Sequence, residues 1–152
     1  MKNVILIGGI TATVTGVFIG IQSMFSGRAG ELIGPINTGF WTNFLGGSLA
    51  GLLILGIGLF KGFETVKITS STIGMVLLSG ALGIFIIMGV SFSISKAGLA
   101  AGMAAIILGQ MVFGALSDAY GWGGLDPIPL DARRVIGLVT MVIAVFLLFP
   151  KD

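Results

Sequence analysis

Charged residues are so widely spaced along this 152-residue chain that they leave five long uncharged stretches. Between Lys2 and Arg28 lie 25 uncharged residues, between Glu31 and Lys61 lie 29, and between Lys67 and Lys96 lie 28. A further 21 separate Lys96 from Asp118, and 16 separate Arg134 from Lys151. A helix crossing the hydrocarbon core needs about 20 predominantly apolar residues, with a range of roughly 17–25. Four stretches meet that length. The fifth meets it if Arg133 and Arg134 snorkel and lend it a turn. The spacing therefore predicts five transmembrane helices, at about 3–26, 36–60, 72–94, 97–117 and 134–150, in one all-α domain spanning residues 1–152.

Composition excludes the main alternatives. Charged residues are 9% of the chain and hydrophobic residues 55%, whereas a soluble domain is about 25% charged. Eight basic and six acidic side chains are too few to cover a water-soluble globule of this size. Cysteine and histidine are both absent, which removes disulfide scaffolds and the usual zinc and nucleophile chemistries. A net charge of +2 leaves no nucleic-acid footprint. We therefore expect no enzyme activity, no metal, no cofactor and no nucleic-acid partner; the expected surroundings are a lipid bilayer. A β-barrel would alternate polar and apolar residues in segments of about ten, and runs such as 75–87 do not. Twenty-six glycines exceed the usual share of about 7% more than twofold.

The breaks carry the expected residues. Pro35 precedes the second helix, Pro127 and Pro129 lie in a Gly/Pro loop over 118–133, and Pro150 ends the fifth helix. Loops are expected at 27–35 and 61–71, and a tight turn near Ser95–Lys96. The first apolar stretch is too long for a signal peptide core of 7–15 residues, so a retained first helix is expected. Five helices put the termini on opposite sides. Lys2, Lys61, Lys67, Arg133 and Arg134 then face Arg28, Lys96 and Lys151. The positive-inside rule favours a cytoplasmic N-terminus, by two charges only, which permits insertion both ways.

Polar residues inside the spans are the candidates for function. Thr11, Thr15, Gln22 and Ser26 recur at helical spacing on the first helix, beside a strip of small residues suited to close helix contact. Threonines in this setting bond to backbone; a primary amide needs several partners. Gln110 is the strongly polar residue of the fourth span. On the second helix, Asn43 lies deeper than Asn37, and Trp41 is either an interfacial anchor or an aromatic wall. Serines 91, 93 and 95 close the third helix. Tyr120 and Trp122 fit an interfacial belt. No span carries a carboxylate at its centre, so coupling through a mid-membrane acid is not expected. The acids nearest a span are Glu31, three residues from Arg28, and Asp118; they are the candidate coupling groups, with Asp118 ahead.

Several of these residues form a recognisable pattern. Gly20-Ile-Gln22, Ser26, Arg28, Gly34-Pro35 and Phe44-Leu-Gly46 make the first part. Gly109-Gln110, Leu116-Ser-Asp118, Gly121, Pro129, Arg133-Arg134 and Gly137 make the second. Over nearly its whole length the chain resembles the YdcZ family of the drug/metabolite transporter superfamily. Ser26 stands where the family has asparagine, and Ala144 where it has glycine. The resemblance implies a small-molecule secondary transporter, an exporter, in the bacterial cytoplasmic membrane. It implies one half of a ten-helix inverted-repeat architecture, completed as an antiparallel homodimer, or as a heterodimer with a second five-helix chain. Gln22 and Gln110, with Ser26, Trp41 and Asn43, are the expected substrate-binding residues. The competing class is a non-transporting membrane scaffold or accessory subunit.

Overall fold

The computed structural model describes residues 2–63, 69–124 and 126–150, with side chains from Leu6 onward. Lys67, Lys151 and Glu64 lie outside the described residues, as do Lys2 and Asn3 beyond their backbone. Five helices follow one another: α1 (Lys2–Ile33), α2 (Pro35–Lys61), α3 (Ser70–Ala97), α4 (Leu99–Tyr120) and α5 (Ala132–Leu148). A single 3-10 turn (Trp122–Gly124) follows α4. Among the described residues four helices are long and apolar enough to cross a membrane. The 17 residues of α5 rise about 26 Å at 1.5 Å each, at the lower limit of a span.

The first helix is longer than the charge spacing predicts. It does not stop at residue 26, and the loop expected over 27–35 shrinks to Gly34. Arg28 and Glu31 continue the helix and pair across one turn at 2.7 Å, a spacing that favours helix. Gly27 and Gly30 are buried, so contact with a neighbouring helix offsets their low propensity. The break falls at Gly34 with φ 82°, immediately before Pro35. Only glycine takes that φ without strain, and proline suits the first helical position. The same joint recurs between α3 and α4, at Gly98 with φ 80°. The turn expected at Ser95–Lys96 is therefore displaced: Lys96 is still helical, because nothing in Ser95–Lys96 can adopt the left-handed region. In both joints the helical hydrogen bonding resumes at once: Thr38 N donates to Gly34 O, and Gly102 N donates to Gly98 O.

The chain divides into two compact units, residues 22–92 and residues 1–21 with 93–152. In the first unit the deeply buried side chains are small and polar. Ser23, Ser26, Thr38 and Ser91 are at most 4% exposed, and Val90 is the buried aliphatic residue there. Large apolar residues such as Leu52, Leu53 and Phe60 are outside. Water would penalise this by about 1.5–3 kcal/mol per large side chain. In lipid no such penalty exists, and close helix packing through small residues takes over. Gly30 lies against the Ser91 side chain, and the Ser91 hydroxyl donates to Ser26 O at 2.9 Å. Gly39 lies against α3, where a Cβ would stand 2.9 Å from Ile84 O. Asn43 donates to Gly39 O at 2.8 Å and to Gly83 O at 3.2 Å. Three helices thus meet through hydroxyls, glycines and one amide.

In the other unit α4 packs on α5, and Ala101 and Gly102 are buried. Helix α4 ends at Gly121 in the left-handed conformation. The following loop folds back, with Ile128 N donating to Asp118 O at 2.8 Å. Asp131 then caps α5 by accepting from Arg134 N at 2.8 Å. Five crossings, α5 included, would put the two ends of each molecule on opposite faces of the membrane. Single cysteines placed at Asn3 and Pro150 of this cysteine-free chain are expected to label from opposite sides in every molecule. Labelling of both from one side of the same molecule would remove one crossing.

Candidate functional site: a groove between α4 and α5

Gln110, Gly114 and Asp118 follow one another at four-residue intervals, so one face of α4 presents all three. Arg134, Gly137 and Met141 make the corresponding face of α5. Between the two faces runs a groove of about 430 Å³, within the range of about 300–1,000 Å³ typical of ligand sites. Its middle is hollow because Gly114 and Gly137 have no side chains; a Cβ at either would meet no atom within 4 Å. At one end, Arg134 Nη1 donates to Asp118 Oδ2 at 3.2 Å. Each side chain is about one-third exposed (35% and 34%). Gln110 lies two helical turns along α4, about 12 Å from Asp118 by the helical rise.

Two residues that the sequence singled out for different reasons, Gln110 as a substrate contact and Asp118 as a coupling group, line this one groove. Arg134 joins them, although sequence reasoning treated it as a boundary charge. Its position three residues before Gly137 and seven before Met141, on one face of a helix, was the available signal. Asp118 is not a free acid: it holds Arg134, as Glu31 holds Arg28.

The other expected site residues lie in the unit of residues 22–92. Gln22 is exposed on α1. Because α1 runs on to Ile33, Gln22 lies about 16 Å from that end and about 9 Å from Arg28 along the axis, within the span rather than at its edge. Ser26 is buried against α3, with its carbonyl accepting the Ser91 hydroxyl. Both amide donors of Asn43 are engaged by carbonyls. Trp41 is half exposed and joins Phe40 and Phe44 in a ring cluster with centroids 5.3 to 6.0 Å apart. The hydroxyls of Thr11 and Thr15 in the α1 stripe, and of Thr13 beside it, donate to the carbonyls four residues earlier, so these threonines satisfy themselves. Asn37 does the same toward Ile33 O. Gln22 and Gln110 differ: among the described residues neither amide has a hydrogen-bond partner.

The model of a family described as "Putative inner membrane exporter, YdcZ" matches residues 7–147. The chain belongs to this YdcZ family. The match takes in all five helices and the whole α4/α5 groove. Neither a curated protein nor a solved structure matches the chain. Membership and the apolar helices together place it in the inner membrane as a multi-pass protein of an exporter family. The groove is lined mostly by apolar residues and glycines, with Gln110, Asp118 and Arg134 as its polar members.

Proposed function

We propose that this YdcZ-family chain is one half of a small-molecule exporter, working as an antiparallel pair of five-helix chains. The observation that carries the reading is the pair of unpartnered amides, Gln22 and Gln110. An amide without a partner in an alkane-like medium costs about 4–8 kcal/mol, so each side chain calls for a partner outside the chain. A second, inverted copy and a substrate held between the copies supply them. Inverted-repeat transporters hold their substrates near the midplane in this way. The narrow difference in positive charge between the two sides supports insertion in both orientations. A separate partner chain would serve equally if this chain inserts one way only. The α4/α5 groove is the substrate site, with Gln110 as its contact. Gln22 lines the path, and Ser26, Asn43 and Trp41 support it. Asp118 is the coupling candidate, since it is the acid that lines the groove.

The test is export from proteoliposomes, using compounds selected by thermal stabilisation of the purified protein. Gln22→Ala and Gln110→Ala are each expected to reduce export at least tenfold while the protein still folds and dimerises. Cysteine cross-linking should trap antiparallel pairs. Full export by both variants would remove the glutamines from the path. Parallel pairs alone would overturn the inverted architecture. Stabilisation without any export would favour an accessory or scaffold role.

A further inference from the structure

The groove offers one fixed anion and one fixed cation at the same end, joined by a single contact. A guanidinium has five N–H donors and a carboxylate has two oxygens. Among the described residues the Arg134 side chain donates only to Asp118, through Nη1, and the second carboxylate oxygen, Oδ1, accepts nothing. The remaining valences are therefore open to a ligand, in a groove whose other walls at this end include Ala115, Gly137 and Leu138. The charges of the pair sum to zero. A ligand with one net charge would bring an uncompensated charge into low dielectric, which is costly. It would also meet a like charge on one of the two residues. A ligand with one charge of each sign escapes both penalties.

We propose that the groove binds a zwitterion: an α-amino acid with an apolar side chain. This rests on the export reading above and adds its substrate class. The ligand carboxylate takes the free N–H groups of Arg134, where a forked, charge-assisted contact is the strongest arrangement. The ligand ammonium takes Oδ1 of Asp118. The apolar side chain extends along the hollow left by Gly114 and Gly137 toward Met111 and Met141.

The probes are radiolabelled leucine, methionine and phenylalanine, bound to the purified full-length protein in proteoliposomes. Isoamylamine and 4-methylpentanoate, which keep the leucine skeleton but one charge each, serve as competitors. Saturable binding of at least one of the amino acids is expected, with both competitors at least tenfold weaker than leucine. Asp118→Asn should weaken leucine at least tenfold but not 4-methylpentanoate. Arg134→Gln should weaken leucine but not isoamylamine. An ion pair with a purely structural role would weaken all three ligands alike, and that result would overturn the proposal. So would equal binding of a singly charged competitor, or binding of none of the three amino acids. If either variant fails to fold, the selectivity of the unaltered protein decides. Export of a singly charged or uncharged compound at undiminished rate by Asp118→Asn protein would overturn the zwitterion and leave the exporter reading standing. Absence of export for every compound that stabilises the protein would instead overturn that reading.

Discussion

Filling the α4/α5 groove with Gly114→Leu and Gly137→Leu together is expected to reduce export at least tenfold without loss of stability. A factor of ten corresponds to about 1.4 kcal/mol, a small demand on two isobutyl groups placed in the middle of a binding groove. The stability half of the expectation follows from the surroundings. A Cβ at either position meets no heavy atom within 4 Å, and the groove of about 430 Å³ leaves space for the rest of each side chain. Both positions lie inside helices, where glycine costs about 1 kcal/mol relative to alanine and leucine almost nothing. The thermal midpoint in detergent should hold or rise while transport falls. Gly9→Leu is the control: its Cβ is equally unobstructed, but the residue does not line the groove, so export should persist. Undiminished export by the doubly filled protein would show that substrate travels elsewhere. A loss of antiparallel cross-linking together with transport would mean that the groove holds the partner copy rather than a substrate.

The opposite response is expected at Gly39. A leucine there should lower the stability of the protein by about 3 kcal/mol, at the upper end of the cost of overpacking. The new Cβ would stand 2.9 Å from the Ile84 carbonyl and closer still to the Met88 side chain. A methionine chain can swing aside, but a helix carbonyl cannot, so α2 and α3 must separate. Separation also breaks the Asn43 bond to Gly83 O, leaving a polar group without its partner, which costs a further 1–3 kcal/mol if the amide finds no other. Gly30→Leu meets the Ser91 side chain, hydroxyl and Cβ alike; moving it breaks the buried bond to Ser26 O, so a loss of similar size is expected. The thermal midpoint in detergent measures both. An unchanged midpoint for Gly39→Leu would mean that α2 and α3 do not make this contact in the membrane.

The contrast between Gly39 and Gly114 shows how far the chain can be read without its structure. Both are glycines inside apolar helices, and nothing in their local sequence separates them. One is a contact point and the other an empty space, because helices distant in sequence lie close to the first and not to the second. Asn43 and Gln110 differ in the same way. Each is an amide in a hydrophobic span and each was an expected site residue. The first has both donors bound to carbonyls, one of them 40 residues away, while the second opens on a groove.

What the amino-acid sequence determined by itself was the division into five helices and their place in the bilayer. The physical reason is the cost of a charge in hydrocarbon, which lets the charges mark the ends of spans regardless of packing. The family was also legible, through Gln22, Gln110 and the residues around them. Where each helix stops was decided more locally than charge can report. Arg28 and Glu31 neutralise each other and stay helical, and the break waits for Gly34, where the backbone can turn. Tertiary structure alone decided that Asn43 and Ser91 find partners on other helices while Gln22 and Gln110 find none among the described residues. It joined Asp118 to Arg134 across a loop of 3-10 turn and prolines, and it hollowed the groove between them and Gln110. Those outcomes depend on distances between helices, and the apolar surfaces that face lipid carry no pattern from which such distances could be read.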